Sequence, residues 1–180
     1  IFRENTEGAY VGIGGSMKTG TPDEIAITEI IATYKGTERI IRAAFEYAHA
    51  SGRRRVCMAS KYNAIPHAHG LWLRIFQAIS ADYPDIEATS LFGDVVAMEL
   101  VRDPTRFDVI VSSNLLGDII SDLAAQVVGG LGLAPSANIH PGQTSLFEPV
   151  HGSAPDIAGT GRANPLASIL SAAMLLEHLG

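Results

Sequence analysis

Between residues 38 and 128 the chain switches repeatedly between two hydrophobic periods. That alternation restricts the fold more than any single motif does. Residues 38–50 carry apolar side chains at 40, 41, 44, 45 and 48, the stripe of an amphipathic helix, with Gly52 as its stop. Residues 55–59 are a short apolar run that reads as a strand. Residues 70–81 read as a second helix closed by Tyr83-Pro84, 86–90 as a strand, and 95–101 as a third helix ended by Asp103-Pro104. Phe107-Asp108-Val109-Ile110-Val111 has the β-branched, apolar character of a buried strand. Residues 115–128 follow as a fourth helix stopped by Gly129-Gly130, and 165–179 as a fifth with Pro165 at its first position. Strands and helices in alternation predict an α/β architecture.

Two stretches break the rhythm. Residues 24–34 are rich in Ile and Thr and follow Gly20-Thr21-Pro22, so they read as a hairpin strand outside the main sheet. Residues 129–164 read as one long loop rich in Gly and Pro, and their specific polar content favours function over disorder. The opening Ile1-Phe2-Arg3-Glu4 reads as the middle of a strand, which suggests a piece of a longer protein.

Composition removes several classes. With 47% hydrophobic and 18% charged residues the chain has the make-up of a folded protein. A net charge of −6 leaves no electrostatic footprint for nucleic acid. The one basic run, Arg53-Arg54-Arg55, reads as the cap of a helix end before a strand. The single cysteine, Cys57, excludes an internal disulfide and a cysteine zinc site, and its apolar neighbours predict a core position. No apolar run is long enough to span a membrane and no signal peptide is visible, so a cytoplasmic location is the expectation.

Five constellations carry chemistry. In Ser112-Ser113-Asn114-Leu115-Leu116-Gly117-Asp118-Ile119-Ile120-Ser121-Asp122 two carboxylates stand four apart on a predicted helix and point the same way. They are either a solvated acidic face or oxygen ligands for Mg²⁺ or Mn²⁺. Glu148-Pro149-Val150-His151-Gly152-Ser153-Ala154-Pro155-Asp156 combines small residues with acceptors for a ribose diol, which suits either a nucleotide cradle or an ordinary ordered loop. Arg3 can clamp a carboxylate and Tyr10 can donate a phenolic proton, or both can serve structure. Lys61 lies at the carboxyl end of a predicted strand, where α/β sheets bind ligands and a desolvated lysine can act as a base; a surface lysine is the alternative. Asp94, at the start of a predicted helix, could be its cap.

Together, in this order, Arg-Glu-Asn-Thr-Glu-Gly-Ala-Tyr at 3–10, Lys-Tyr-Asn at 61–63, Asp94, Asn-Leu-Leu-Gly-Asp-Ile-Ile-Ser-Asp at 114–122, Ala-Pro-Ser-Ala-Asn at 134–138 and Glu-Pro-Val-His-Gly-Ser-Ala-Pro-Asp-Ile-Ala-Gly at 148–159 resemble the metal-dependent β-decarboxylating dehydrogenases. That family covers isocitrate, 3-isopropylmalate, homoisocitrate, tartrate and D-malate dehydrogenases. Gly14-Gly15, Gly20-Thr21, Glu24 and Phe147 point first to the tartrate/D-malate branch, with isopropylmalate dehydrogenase the nearest rival, isocitrate dehydrogenase behind it, and a non-catalytic relative the other alternative. Tyr62 stands where that resemblance leads one to expect a small residue.

The resemblance implies a two-domain, isopropylmalate-dehydrogenase-like α/β fold, here a fragment lacking the first strands and the C-terminal end. Residues 1–129 would be the substrate, metal and dimerisation domain, with a protruding arm near 11–35; residues 130–180 would be part of the cofactor domain. Arg3 would bind a substrate carboxylate, Tyr10 would be the general acid and Lys61 the base. Asp94, Asp118 and Asp122 would hold Mg²⁺ or Mn²⁺. Asn63, Glu148, His151, Gly152, Ser153, Ala154, Asp156 and Asn164 would bind NAD. The partners implied are a small 2-hydroxy acid and a second copy of the chain, in a homodimer with shared sites.

Overall fold

The computed structural model describes residues 1–180. It divides into two compact units, Ile1–Ser121 and Asp122–Gly180. The division falls inside a helix and not at the expected 129/130 boundary, because Gly129-Gly130 stops the helix without ending the unit: Gly130 N–H still donates to Ala125 of the same unit.

The first unit is built on a parallel four-stranded sheet of β1 (Phe2–Arg3), β4 (Arg55–Ser60), β5 (Glu87–Phe92) and β6 (Val109–Ser112). Its strand order is β1-β6-β4-β5. A separate antiparallel hairpin pairs β2 (Gly14–Met17) with β3 (Ile25–Thr28). Its helices are α1 (Tyr34–Ala50), α2 (Ala68–Ser80) and α3 (Gly93–Arg102), followed by the start of α4 (Asn114–Val127), the helix in which the division falls. The apolar runs of β4 and β6 lie side by side, Val56 opposite Val109 and Cys57 opposite Ile110, and Cys57 is buried as expected. Ile41, Phe45 and Ala48 of α1 meet Trp72, Ile75 and Phe76 of α2 and Val56 and Met58 of β4 in one core.

The basic run does not cap α1. Ser51 takes that place, while Arg55 opens β4 and pairs with Asp108 at 2.8 Å. Asp108 also accepts the Arg54 and Arg55 backbone N–H groups, which locks the start of β4 to β6. The α1 helix begins before residue 38, because Thr33 caps it by accepting from Gly36 N–H at 3.1 Å. The strand expected over 24–34 is therefore shorter than the sequence suggests. It does stand outside the main sheet, in a hairpin that needs Gly14: a Cβ there would lie 2.1 Å from the Ile27 carbonyl oxygen.

The second unit holds β7 (Pro135–Asn138), β8 (Leu146–Pro149) and α5 (Leu166–Leu179). The long loop expected over 129–164 is thus interrupted by an antiparallel hairpin, β7 against β8. The prolines disguised it. Pro135 and Pro149 face each other at the hairpin's end, and in a two-stranded sheet every strand is an edge that tolerates a missing N–H. No helix in either unit is long and apolar enough to cross a membrane.

Candidate active site

The Arg3 guanidinium is held from three directions. Nε and Nη2 donate to Asn114 Oδ1 at 3.0 and 2.8 Å, and Nη1 donates to Asp118 at 2.6 Å. Its charged carbon lies 5.5 Å from the centre of the Tyr10 ring. The fold makes this gathering possible because β1 runs beside β6, and β6 feeds directly into α4. Gly117 leaves the space: a Cβ there would come within 2.8 Å of Arg3 Cγ. Asn114 is buried and fixes the arginine from the first residue of α4, with its Nδ2 donating to the Glu7 carbonyl. Asp122 follows Asp118 by one turn of the same helix and is exposed.

Lys61 and Asp94 form a second group. The Lys61 ammonium is 2.7 Å from the Asp94 carboxylate and 5.2 Å from the centre of the Phe92 ring. They meet because β4 and β5 are adjacent parallel strands, so the residue after β4 faces the first turn of the helix after β5. The Lys61 hydrogen bond holds the Asp94 carboxyl below the usual aspartate range. Asp94 does not cap α3: Phe92 occupies the cap position, and the Asp94 side chain goes to Lys61. Asn63 is exposed two residues further on. The three aspartates do not gather in one place, since no group of three metal-ligating side chains forms within the chain.

The second unit carries the other candidates. Glu148, on β8, accepts from Asn138 of β7 at 3.3 Å. His151 Nδ1 lies 2.8 Å from the Gly152 carbonyl oxygen. Gly152, Ser153, Ala154 and Asp156 are exposed on the loop that turns through Pro155–Ile157, where Ala154 adopts the left-handed conformation with φ of 42°. Asn164 lies before α5 and accepts Leu166 N–H at 3.0 Å, so it helps start that helix.

Two residues carry the site without having been singled out. Asn114 was legible only as part of a motif string. Its role depends on Arg3, 111 residues away. His69 carried no signal at all; its ring accepts the Lys61 backbone N–H at 2.7 Å.

Residues 1–180 match the family described as isocitrate/isopropylmalate dehydrogenase. A protein named 3-isopropylmalate dehydrogenase from Beutenbergia cavernae is 51% identical, covering all of this chain and 52% of that protein. One of the same name from Rhodococcus opacus is 52% identical, over all of this chain and 54% of that protein. Among solved structures, an isocitrate dehydrogenase from Methylococcus capsulatus superposes with a TM-score of 0.92 at 50% identity, over 99% of this chain and 52% of that one. The chain thus spans about half the length of the curated relatives it matches. These relatives bear isopropylmalate and isocitrate names, which favours those branches over the tartrate/D-malate branch that the sequence motifs suggested first. By sequence and by fold, the chain belongs to the isocitrate/isopropylmalate dehydrogenase family.

Proposed function

We propose that the protein containing these residues oxidises and decarboxylates a small 2-hydroxy dicarboxylate with NAD and a divalent metal, and that 3-isopropylmalate is the substrate its relatives favour. The observation that carries this reading is the Arg3 cluster. A guanidinium fixed by Asn114 and Asp118, with a phenol beside it, is prepared to hold a carboxylate next to a proton donor. A cytoplasmic location belongs to the same reading.

The donor chemistry fits a hard cation. Asp94, Asp118 and Asp122 offer carboxylate oxygens, the ligands Mg²⁺ and Mn²⁺ prefer. Since the three do not gather within one chain, the reading assigns Asp94 and Lys61 of one protomer to the site of its partner. Support comes from exposed apolar side chains that a second copy would cover: Ile13, Met17, Ile25 and Ile27 on the hairpin, and Met98, Leu115 and Ile119 on the helices. The cofactor reading rests on Asp156, a carboxylate suited to a ribose diol and opposed to a 2′-phosphate, in a stretch without Lys or Arg from 107 to 161.

When bound, the nicotinamide supplies the hydride acceptor and the cation an electrophile for the substrate oxygens. Arg3 holds a substrate carboxylate. Lys61 Nζ, as the neutral amine, would take the proton of the 2-hydroxyl as C2 is oxidised, and Asp94 would be among the carboxylates that hold the cation. The 3-carboxylate then leaves as carbon dioxide, its bonding electron pair stays on C3, and the Tyr10 hydroxyl protonates that carbon.

A steady-state screen of the full-length protein on 3-isopropylmalate, isocitrate, D-malate and tartrate, each with NAD or NADP and with Mg²⁺ or Mn²⁺, tests the reading. NAD-dependent turnover of 3-isopropylmalate above the others is expected; no turnover of any of the four would leave the non-catalytic alternative standing. Mixing full-length Lys61→Ala with Asp118→Asn tests sharing, because heterodimers would regain one complete site and activity should return. Failure to recover activity in verified heterodimers counts against the trans arrangement.

A further inference from the structure

We propose that His69 is a positioning residue for Lys61, holding the lysine's backbone so that its side chain meets the substrate. This role rests on the reading of Lys61 as the base.

The β4 ladder ends at Ser60, opposite Phe92. The next N–H, that of Lys61, donates to His69 Nδ1 at 2.7 Å. His69 is the second residue of α2 and only 3% exposed, so water does not compete for the acceptor. Its other nitrogen, Nε2, lies 3.3 Å from the hydroxyl of Ser113, the residue just before α4. An Nδ1 that accepts leaves the ring proton on Nε2, which then donates to Ser113. Burial lowers the imidazole's pKa, so the neutral ring needed for this arrangement is also the favoured one.

One imidazole therefore links three segments that carry candidate chemistry. They are the carboxyl end of β4 with Lys61, the first turn of α2, and the junction leading into the helix of Asn114 and Asp118. No side chain caps α2 at that end. The Lys61 side chain has long-range freedom through four methylenes, so its reach depends on where its backbone is fixed. A base displaced by about 1 Å loses on the order of 100-fold in rate.

The test compares three substitutions in the full-length protein. Asn places its carbonyl oxygen near the position of Nδ1 and can accept from Lys61 N–H. Gln reaches toward Ser113 and leaves that N–H without its acceptor. Leu does neither. The expected result is that His69→Leu and His69→Gln lower kcat roughly 10- to 100-fold with little change in KM, and that His69→Asn recovers most of the loss. Equal kcat for His69→Asn and His69→Gln overturns the proposal, as does full kcat in His69→Leu. Should His69→Leu fail to fold, the Asn and Gln pair still decides.

Nitrogen NMR of the unmutated protein adds a direct readout: the ring should carry its proton on Nε2, and a proton on Nδ1 would refute the contact. Lys61→Ala, assayed in parallel, separates the two readings. If Lys61→Ala keeps its turnover, the base assignment fails and this role fails with it. If Lys61→Ala is inactive while His69→Leu is not, only the positioning role fails.

Discussion

The two units close their cores differently. In the first, Ile41, Phe45, Val56, Met58, Val96 and Val111 are shut off completely from solvent. In the second, every buried apolar residue is an alanine: Ala125, Ala134 and Ala167. Most of its large apolar side chains are exposed instead, Leu176 at 67% and Ile169 at 57% among them. A helix as apolar as α5 belongs to a buried setting, and in this chain only Ala167 and Ser171 of it are buried. The candidate side chains follow the same division. Arg3, Lys61, Asp94 and Asp118 are held by long-range ion pairs and hydrogen bonds across the parallel sheet. The candidates of the second unit lie on an exposed loop shaped by its own turns. The geometry of the first group is therefore fixed by the chain's own core, and that of the second by local backbone preference.

The largest test of this contrast truncates one large side chain on each side. Phe45 packs its ring 5.4 Å from that of Phe76 and 5.2 Å from that of Tyr83, centre to centre. Phe45→Ala removes those contacts and leaves a cavity, at a cost of about 3–5 kcal/mol. Leu176→Ala should stay within about 0.5 kcal/mol, because little of that side chain leaves water on folding. Denaturant titration of the chain gives both values. Equal costs would mean that α5 is buried in solution and that the contrast fails.

A middle-sized test concerns the lock between β4 and β6. Asp108 accepts two backbone N–H groups and the Arg55 guanidinium, which hold its carboxyl below the usual aspartate range, the Arg55 hydrogen bond contributing most. With a depressed folded pKa, the stabilisation is complete above the unfolded aspartate value and disappears as pH falls through the folded value. Asp108→Asn should cost about 1–2 kcal/mol at neutral pH and less in acid, because the stabilisation from the charged acceptor shrinks once pH drops below the unfolded aspartate value. A cost that does not shrink between pH 6 and pH 3 would show that packing, not charge, secures the strand start.

How much was legible follows from the same contrast. The strands β4 and β6 and helices α1 to α5 announced themselves through local period, since burial against one neighbouring layer imposes that period on the sequence. The start of α1 was missed because Gly36 weakens the pattern, while the cap Thr33 is itself held by Glu7, 26 residues earlier. The β7–β8 hairpin was hidden by its prolines. In the site, the residue types were readable but their pairing was not. Nothing local says that Arg3 meets Asp118, or that Lys61 meets Asp94. His69 was invisible for the same reason: its acceptor role exists only once α2 folds back on the end of β4.

The smallest effect tests the second unit alone. Ala154 has φ of 42° and ψ of 62°, the left-handed region in which a Cβ crowds the following carbonyl. An alanine there costs about 1–2 kcal/mol relative to its preferred backbone. Glycine would remove that cost but loses about 0.4–1 kcal/mol more chain entropy on folding. Ala154→Gly should therefore raise stability slightly, by at most about 1.6 kcal/mol as the difference of the two. The sign is the informative part. A gain means that the loop through Ser153, Ala154 and Asp156 is held in a strained shape by its surroundings, as a preformed ligand cradle would be. A loss, read by denaturant titration, would mean that the left-handed conformation is not retained in solution. The loop would then have to be ordered by whatever binds it, and the contrast with the closed network around Arg3 would be sharper still.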